Sequence, residues 1–456
     1  MGAPPRPRGI RPATTARHGS VRRPLPPGTV ARVAQALIAA GAAGVLAVWW
    51  RGTAEVSSAA DWLTGAGRIT GLLAGYTAPV LLFLMARIPL LEREVGADRL
   101  ARWHAGGGRW LVGLVAVHVL TITWGYALTD GRGPVGEGVR LVFHYPEMIK
   151  AALATLIMFG TGAVSARAAR RRMSYEAWYY LHLATYLAIA LGFGHQLADG
   201  ADLGGGPERG AWWVLYLGTA ALLGWYRLLV PFARDRRHRM RVAEVRPEGP
   251  GVVSLFVTGE RLDRLGAEAG QFFRLQFRTR ELRWAANPYS LSAPPHPHFL
   301  RFTVKDVGGH SAAVARLEPG TRLRAEGPYG AFTAGRRREH RVLLLGAGVG
   351  ITPLRALFES LPGRVTLVQR ARRPQDVLFR DELATVATAR GAQVHELLGT
   401  RAQIGDLGAA LRGLVPDLAA HEVYLCGPPA FTDEAGRVLR AAGVRRSRIH
   451  CESFEL

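Results

Sequence analysis

Apolar residues fill six stretches in the first half of the chain, and each approaches the ~20 residues that a helix needs to cross a bilayer. They run over Val30–Trp50, Ile69–Ala86, Trp110–Leu128, Ile149–Ala166, Trp178–Leu197 and Trp212–Phe232. Tryptophans cluster at their ends, where an amphipathic ring prefers the membrane interface. The pattern predicts a six-helix transmembrane bundle over residues 30–232, with the lipid bilayer as its immediate partner.

Arginine is unevenly distributed among the segments that separate these stretches. Residues 1–29 are rich in Pro and Arg, so we expect a disordered basic tail there. The segments 87–102, 167–172 and 234–241 are strongly basic, whereas the alternate loops mix fewer arginines with acidic residues. The positive-inside rule therefore predicts a multi-pass protein of the plasma membrane, with both termini and the second half in the cytoplasm.

The apolar pattern changes after residue 238. Short alternating runs such as VVSLFVT, FFRLQF and LRFTVK, bounded by Gly and Pro, predict an antiparallel β-barrel over residues 238–335. Residues 341–456 alternate apolar strands with helical segments, which predicts an α/β domain with a parallel sheet. The fold class is thus a multidomain membrane protein with two cytoplasmic domains.

Composition excludes several functions. The 58 Lys and Arg residues exceed the 35 Asp and Glu, giving a formal charge of +23, but all except Lys150 and Lys305 are arginines. We attribute this to a general arginine bias, and without an aromatic-basic patch a nucleic-acid partner is disfavoured. Cys426 and Cys451 are the only cysteines, which excludes a four-thiolate iron–sulfur cluster, a zinc ribbon and a disulfide framework.

Histidines inside the apolar stretches are the most specific signal. His104 and His118 are fourteen residues apart on the third stretch, and His182 and His195 are thirteen apart on the fifth. These spacings are close to four helical turns, or roughly 20 Å, so each pair shares a helix face. Because the two helices run in the same direction, His104 would lie level with His182 and His118 with His195. The pattern predicts two bis-histidine metal sites, one per leaflet, that suit two b-type haems.

Two arginines lie at the ends of the second stretch. Arg68 opens it on the outer side and Arg87 closes it on the inner side. Charges in a span are costly unless they lie at its ends or are matched, so both are candidates to neutralise haem propionates. His144, in an outer loop, has no similarly spaced partner and is interpreted as a loop histidine.

Two motifs in the predicted barrel suit a flat ring and a diphosphate. In the first, Asn287-Pro288-Tyr289-Ser290, the tyrosine can lie against a ring and the serine can bond its nitrogens. The second runs from Lys305 to Gly309, His310 and Ser311, where glycines before a helix let the backbone approach a phosphate. Gly327, in Gly327-Pro328-Tyr329-Gly330, follows them.

A nucleotide-binding pattern follows in the α/β domain. A buried strand leads into a glycine turn and the start of a helix, a context that suits a phosphate. The residues of this turn are Gly346, Gly348, Gly350, Thr352 and Pro353. The glycine spacing is GxGxG rather than the GxGxxG of the usual dinucleotide-binding fingerprint. Arg370 and Arg372 follow the next strand and favour the 2′-phosphate of NADPH over NADH. Cys426, Gly427 and Pro428 end a later strand, where α/β sheets bind ligands.

Together these features resemble the ferric reductase/NADPH oxidase superfamily over about residues 30–456. The resemblance implies that Tyr289, Ser290 and the Gly309–Ser311 loop hold FAD, and that nicotinamide lies near Gly327, Cys426 and Gly427. It also implies that Phe454 covers the isoalloxazine ring and that Arg68 and Arg87 lie near the haems. Asn287 stands where the family usually has Arg or His, and Glu455 and Leu456 extend beyond the terminal aromatic residue.

The resemblance implies a flavocytochrome b that passes electrons from cytoplasmic NAD(P)H through FAD and two haems to an extracytoplasmic acceptor. Oxygen, giving superoxide, and ferric chelates both remain open as that small-molecule acceptor, and no obligate protein partner is evident.

Two other functions would also account for some of these features. A haem-free, membrane-anchored flavin reductase would serve a cytoplasmic acceptor, with the four histidines structural. A proton or ion transporter would use them as a relay, but the third and fifth stretches lack acidic partners at depth, which disfavours it.

Overall fold

A helical first half and a β-rich second half make up the computed structural model, which describes residues 28–53, 56–166, 173 and 175–453. Most of the predicted basic tail, namely residues 1–27, lies outside the described residues. The arginine run 167–172 and Phe454 lie outside them as well, so the role expected of Phe454 stays a prediction.

The six predicted apolar stretches all overlap helices. The helices of the first half are α1 (Thr29–Gly52), α2 (Ala59–Leu84), α3 (Pro89–Glu94), α4 (Ala97–Thr129), α5 (Pro134–His144), α6 (Met148–Ser165), α7 (Tyr175–Ala198), α8 (Gly206–Leu223) and α9 (Val230–His238). A π-helical turn, Gly224–Leu229, joins α8 to α9. The short helices α3 and α5 lie between predicted spans and were not anticipated.

Five described segments are long and apolar enough to cross a membrane. They are Thr29–Gly52, Ala59–Leu84, Arg99–Thr129, Met148–Ser165 and Gly206–His238. Helix α7 has 24 residues but is not among the five, because its several tyrosines and two histidines lower its mean hydropathy. Five apolar spans are therefore supported, and the count of six stays a prediction.

A row of glycines brings α2 close to its neighbours. Gly67, Gly71 and Gly75 recur every fourth residue and so share one face of α2. A Cβ atom on Gly71 would lie 2.6 Å from Nδ1 of His118, and one on Gly75 would lie 2.6 Å from Oε1 of Gln196. Small residues in this pattern allow close helix packing within a membrane, and here they also leave room for polar side chains between the helices.

The domain that follows the helical half, the β-domain, contains six antiparallel strands. They are β1 (Arg241–Gly249), β2 (Val252–Thr258), β3 (Phe272–Phe277), β4 (Asn287–Ser290), β5 (Phe299–Lys305) and β6 (Leu323–Tyr329), and the five-residue helix α10 (His310–Val314) lies between β5 and β6. They form two three-stranded sheets, in the orders β1-β2-β5 and β4-β3-β6. Single bridges, Arg241 to Arg322 and Leu291 to Phe302, join the sheets. The predicted strands are present, but the described ladders do not form one continuous barrel.

The last domain of the chain is an α/β domain with a parallel sheet, as predicted. Its strands are β7 (Arg341–Ala347), β8 (Arg364–Ala371), β9 (Gln393–Leu398), β10 (Glu422–Gly427) and β11 (Ile449–Ser453), in the order β11-β10-β7-β8-β9. Its helices are α11 (Ile351–Ser360), α12 (Arg380–Arg390), α13 (Arg401–Ile404), α14 (Leu407–Leu414) and α15 (Pro429–Ala441). The carboxyl ends of β7, β10 and β11 therefore meet at one edge.

A buried arginine network joins the β-domain to the α/β domain. Arg301 on β5 is 4% exposed and bonds Glu248 at 2.6 Å and Glu382 of α12 at 2.7 Å. Arg355 of α11 also bonds Glu382, at 3.0 Å, and donates to the carbonyl oxygen of Ser292 at 3.1 Å. Because removing one member would leave a buried charge unpaired, the network fixes the relative position of the two domains.

The helical half contacts the β-domain at several points. Helix α9 leads through Arg239 into Met240, which is buried in the core of that domain. The backbone N–H of Glu260 donates to the carbonyl oxygen of His238 at 2.7 Å. Further contacts, made by Arg87 and Arg234 to the end of β6, are described below.

Candidate functional site

The predicted histidine pairs are brought together. The rings of His104 on α4 and His182 on α7 have centroids 5.9 Å apart, and those of His118 and His195 are 6.4 Å apart. Two metal–imidazole bonds of about 2 Å on opposite sides of one metal would separate the ring centroids by roughly 6 Å. Both pairs therefore have the separation that a shared metal requires.

Hydrogen bonds fix the tautomer of both histidines on α4. Nδ1 of His104 lies 3.1 Å from the carbonyl oxygen of Leu81, and Nδ1 of His118 lies 2.8 Å from that of Gly67. A carbonyl oxygen can only accept, so Nδ1 carries the proton and Nε2 of the neutral ring keeps its lone pair. Metal-ligating histidines characteristically donate their other nitrogen in this way.

The two histidines on α7 also have polar partners at Nδ1. Nδ1 of His195 lies 3.0 Å from Oδ2 of Asp199, one turn further along the helix. Nδ1 of His182 lies 3.4 Å from Oγ of Ser165, and the Trp178 ring stacks on His182 with 5.2 Å between centroids. Asp199 was missed in the sequence, although its i, i+4 spacing from His195 on one helix is a usable signal.

A cavity of about 590 Å³ surrounds the outer histidine pair. Its lining is mostly apolar, with polar groups from His118, His195, Arg68, Tyr126 and Tyr145. Small-molecule and cofactor sites typically occupy ~300–1,000 Å³ and combine an apolar wall with a few placed polar groups. In volume and in lining, the cavity suits a large flat cofactor held between two imidazoles.

Carboxylates engage both arginines that were predicted to lie near haems. Arg68 lines the outer cavity and forms an ion pair with Asp202, whose side chain is 3% exposed, with Nε to Oδ2 at 3.0 Å. Arg87 forms an ion pair with Glu326 at the end of β6 and lies over the Tyr329 ring at 5.5 Å. Arg87 thus contacts the β-domain, a partner that no local sequence pattern indicates.

His144 stays apart from the two pairs, but it is the last residue of helix α5 and not, as expected, a loop residue. It is exposed, and its Nδ1 lies 3.2 Å from the carbonyl oxygen of Arg140. Among the described residues, no three His, Cys, Asp or Glu side chains converge on a common point suited to a metal.

The Asn287–Ser290 motif forms β4, beside β3. Oγ of Ser290 is buried and has no hydrogen-bond partner among the described residues. Burial raises the pKa of the Tyr289 phenol, and a hydrogen bond from the Asn287 side chain partly opposes that shift. Asn287 and Pro288 pair with Leu275 and Arg274 of β3. A buried hydroxyl without a partner fits a site that a ring nitrogen or oxygen would complete.

The predicted diphosphate loop is a tight turn. Lys305 ends β5 and is exposed, and Gly309 has φ 53°, a left-handed conformation that favours glycine. His310 opens the five-residue α10. Oγ of Ser311 accepts from the N–H of Val307 at 2.8 Å and donates to the carbonyl oxygen of Gly308 at 2.7 Å. The Ser311 hydroxyl therefore holds the turn, and the N–H groups of Val307 and Gly308 are already bonded to Ser311 and to the Asp306 carboxylate.

Gly327 lies at the contact between the halves. Its carbonyl oxygen accepts a hydrogen bond from Arg234 of α9. A Cβ atom on Gly327 would lie 2.7 Å from Cδ1 of Phe273, so a larger residue would displace the strand packed against it. The backbone that the resemblance associates with nicotinamide therefore lies next to the helical half of the chain.

The glycine turn and the cysteine meet at the carboxyl edge of the parallel sheet. Gly346 of β7 pairs with Cys426 of β10, and a Cβ atom on Gly350 would lie 2.5 Å from the Cys426 carbonyl oxygen and 2.7 Å from Cα of Gly427. Pro428 precedes α15 and marks its N-cap. These motifs therefore lie at one edge of the sheet, as expected from the sequence. Parallel sheets bind nucleotides at this edge.

The rest of the turn has the predicted strand-to-helix form. Gly348, with φ 56°, opens the turn, while Thr352 and Pro353 are buried in the first turn of α11. Ser453, which pairs with Gly427, was missed in the sequence. Its Oγ is buried and lacks a hydrogen-bond partner among the described residues. Burial of a lone hydroxyl at a strand end leaves no sequence signal.

The thiol of Cys426 is expected to act in its neutral form. Burial raises its pKa well above the usual range, and the carboxylate of Glu452 adds to the shift. A raised pKa means that thiolate forms only at higher pH. Dye reduction by NAD(P)H between about pH 6 and 9 should therefore show no inflection due to this thiol. Cys426→Ala should be slower with an unchanged pH profile; an inflection present only in the native protein would contradict the assignment.

Arg370 lies beside the glycine turn, at the position where the sequence predicts recognition of a phosphate. It pairs with Ala347 at the carboxyl end of β8, its Nε is buried without a hydrogen-bond partner among the described residues, and its guanidinium lies 6.0 Å from the Phe431 ring centroid. Arg372 is exposed nearby. Arg373 is bound by Asp376 through bonds of 3.0 and 3.1 Å.

Replacing Arg370 with glutamine should lower the preference for NADPH over NADH by about tenfold, since one charge-assisted hydrogen bond would be lost. The ratio of kcat/KM for the two nucleotides measures this effect. Arg373→Gln is the matched control, because Asp376 already engages that guanidinium. An unchanged ratio in Arg370→Gln would contradict NADPH recognition at this position.

Comparison with known proteins separates the two halves. Residues 70–193 match the family described as the ferric reductase-like transmembrane component. The ferredoxin–NADP reductase B of Sorangium cellulosum is 30% identical over 241 residues, which cover 47% of this chain and 96% of that protein. The ferredoxin reductase component of the Rhodococcus rhodochrous 3-ketosteroid-9-alpha-monooxygenase is 30% identical over 214 residues, 43% of this chain and 59% of that relative.

One solved structure is similar to about half of this chain. It is the FAD/NAD-binding domain of the nitric oxide dioxygenase from Vibrio cholerae, with 24% sequence identity and a TM-score of 0.40, and the match covers 48% of this chain and 99% of that domain.

Proposed function

This chain belongs to the ferric reductase/NADPH oxidase superfamily, since it joins a ferric reductase-like transmembrane domain to a ferredoxin reductase-type FAD/NAD-binding module, and from that premise we propose that it is a transmembrane flavocytochrome b. It would pass electrons from cytoplasmic NAD(P)H through FAD and two bis-histidine haems to an extracytoplasmic acceptor. A membrane-associated reductase that uses FAD and NAD(P)H follows from the family. The haems, the direction and the acceptor are the proposed part.

The single observation that carries the proposal is the hydrogen bonding of the histidine pairs. All four Nδ1 atoms have polar partners within the helical half, and two of these are backbone carbonyl oxygens. Structural histidines would need acceptors and donors at both nitrogens to be satisfied in a membrane. A ring whose Nδ1 is occupied and whose Nε2 keeps a lone pair is instead prepared to ligate a metal.

The residues of the chain would divide the work between binding and orientation. When bound, FAD supplies hydride chemistry with NAD(P)H, and haem supplies one-electron transfer. His104 and His182 would hold the inner haem, and His118 and His195 the outer one. Tyr289 and Ser290 would position the flavin, while Cys426, Gly427 and Arg370 would position the nucleotide against it. The two histidines of each pair would serve as the ligands of its haem, and the acceptor would be reduced without becoming a ligand of the metal.

The outer rim of the cavity would receive the acceptor. The hydroxyl groups of Tyr126 and Tyr145 lie there, together with Arg68, whose charge is paired by Asp202. Such a polar rim would admit either oxygen or a ferric chelate. The side of the membrane follows from the arginine distribution, which favours cytoplasmic reductase domains.

The proposal is tested with purified protein in sealed vesicles whose reductase domains face outward. Haem and flavin are quantified first, with about two haems per FAD expected from two ligand pairs. NADPH added outside should then reduce oxygen or a ferric chelate enclosed in the lumen, and the two acceptors are compared in competition. A protein with flavin but without haem, or reduction confined to acceptors outside the vesicle, would contradict the proposal.

A haem-free reductase for a cytoplasmic protein is the second candidate function. It is favoured by the relatives that are reductase components of monooxygenases, such as the Rhodococcus rhodochrous protein. Under this alternative the purified protein would show a flavin spectrum alone, and reduction of a soluble ferredoxin would not depend on any of the four histidines.

A further inference from the structure

An exposed basic turn connects β3 to β4 in the β-domain. Residues 278–286, with the sequence RTRELRWAA, project Arg280, Arg283 and Trp284 into the surroundings, and Trp284 is 70% exposed. The guanidinium of Arg283 lies 5.2 Å from the Trp284 ring centroid. Fully exposed tryptophans are unusual on soluble surfaces, because a large apolar area stays in water.

The turn is a well-defined feature. Leu282 is 2% exposed and belongs to the core of the domain, so it anchors the middle of the turn. The N–H of Arg283 donates to the carbonyl oxygen of Thr279 at 3.0 Å, and Nε2 of Gln276 donates to that of Arg283 at 2.7 Å. The backbone is held from both sides, so the exposed side chains are presented by an ordered support.

An ion pair ties the base of the turn to the last membrane helix. Arg278 bonds Asp235 of α9 at 2.5 Å. Phe232, three residues earlier on the same helix, is 51% exposed, and Leu229 is 55% exposed, as lipid-facing residues of a span would be. At ~1.5 Å per residue, Asp235 lies only about 4.5 Å beyond Phe232 along the helix. The turn therefore begins at the level where the apolar surface of the last span ends.

We propose that residues 278–286 dock on the cytoplasmic leaflet by binding anionic lipid headgroups, with Trp284 in the interfacial layer. Guanidinium groups match the geometry of phosphate oxygens, and the indole ring favours the depth between headgroups and acyl chains. Glu281 is the one acidic residue of the turn, and Arg316 pairs with it at 3.4 Å, so the turn keeps its positive character. The inference requires the last span to lie in a membrane but needs neither the haems nor a particular acceptor.

Hydrogen exchange on the full-length protein in nanodiscs tests this inference. One set of nanodiscs contains phosphatidylcholine alone, and the other also contains phosphatidylglycerol. In the anionic set, amide exchange in residues 278–286 should slow by roughly fivefold for each engaged arginine. The protection should disappear in the double variant Arg280→Gln/Arg283→Gln and weaken in Trp284→Ala. The matched control is Arg445→Gln/Arg446→Gln, which removes two exposed arginines from the nucleotide domain and should leave the protection unchanged.

Three results would overturn the inference. Equal exchange of the turn in both sets of nanodiscs would exclude recognition of anionic lipid. Equal protection by inorganic phosphate in phosphatidylcholine nanodiscs would show an anion site rather than lipid docking. Loss of FAD from Trp284→Ala, measured as flavin per chain, would assign the tryptophan to the cofactor instead. None of these readouts depends on haem content, so the inference and the proposed function can fail separately.

Discussion

Replacing His118 with alanine is expected to lower the haem content from about two groups to about one per chain, because the outer site would keep one ligand of a pair. Outward electron transfer should then fall by about 100-fold or more, while reduction of soluble dyes by NADPH should continue. The pyridine haemochrome assay, with flavin as the internal reference, measures the loss. His195→Ala should behave in the same way, since its ring faces that of His118 at 6.4 Å.

His144→Ala is the matched control for this experiment. It removes a histidine from the same side of the helical half, but one that is exposed on α5, and it should leave the haem content unchanged. Gly71→Ala provides an independent approach, because its Cβ atom would lie 2.6 Å from Nδ1 of His118 and displace the ring without removing it. Full haem content in all three site variants, His118→Ala, His195→Ala and Gly71→Ala, would reject the outer site.

Replacing Gly350 with alanine is the second change for which a large effect is expected. The added Cβ atom would lie 2.5 Å from the carbonyl oxygen of Cys426 and 2.7 Å from Cα of Gly427. Both neighbours are backbone atoms of a buried strand end, so the turn and the strand must separate. A misplacement of ~1 Å in a reacting site costs about 100-fold in rate. We therefore expect kcat/KM for NAD(P)H to fall to that extent with FAD still bound.

Gly413→Ala is the matched control for Gly350→Ala. Gly413 lies in α14 of the same domain, and a Cβ atom there would have no neighbour within 4 Å. Stopped-flow reduction of the flavin measures the effect on the nucleotide, and thermal unfolding checks that the domain is intact. If Gly350→Ala reduced the flavin at the native rate, the turn would not form part of the nucleotide site.

The sequence predicted the pairing of the histidines but not their hydrogen-bond partners. Spacing along two parallel helices is enough to place His104 opposite His182, because helical geometry is regular. The carbonyl oxygens of Leu81 and Gly67 belong to α2 and carry no side-chain signal. Their roles depend on how closely α2 packs against α4, which the glycine row allows but which is decided by tertiary structure.

Contacts between domains were the least predictable part of the site. Arg87 was expected beside a haem, and its position at the end of the second span supported that expectation. Its ion pair with Glu326 joins residues far apart in the chain, and neither residue has a local pattern that identifies the other. The buried hydroxyls of Ser290 and Ser453 were invisible for a similar reason, since burial of a small polar side chain is set by the surrounding fold.

The end of β6 is fastened to the membrane half at two adjacent residues. Arg87, which follows α2, holds Glu326, and Arg234 of α9 holds the carbonyl oxygen of Gly327. Met240, two residues beyond α9, is already buried in the β-domain. These three attachments restrain the β-domain relative to α2 and α9, so a hinge motion between the two halves would have to break the Arg87–Glu326 ion pair and the Arg234–Gly327 hydrogen bond.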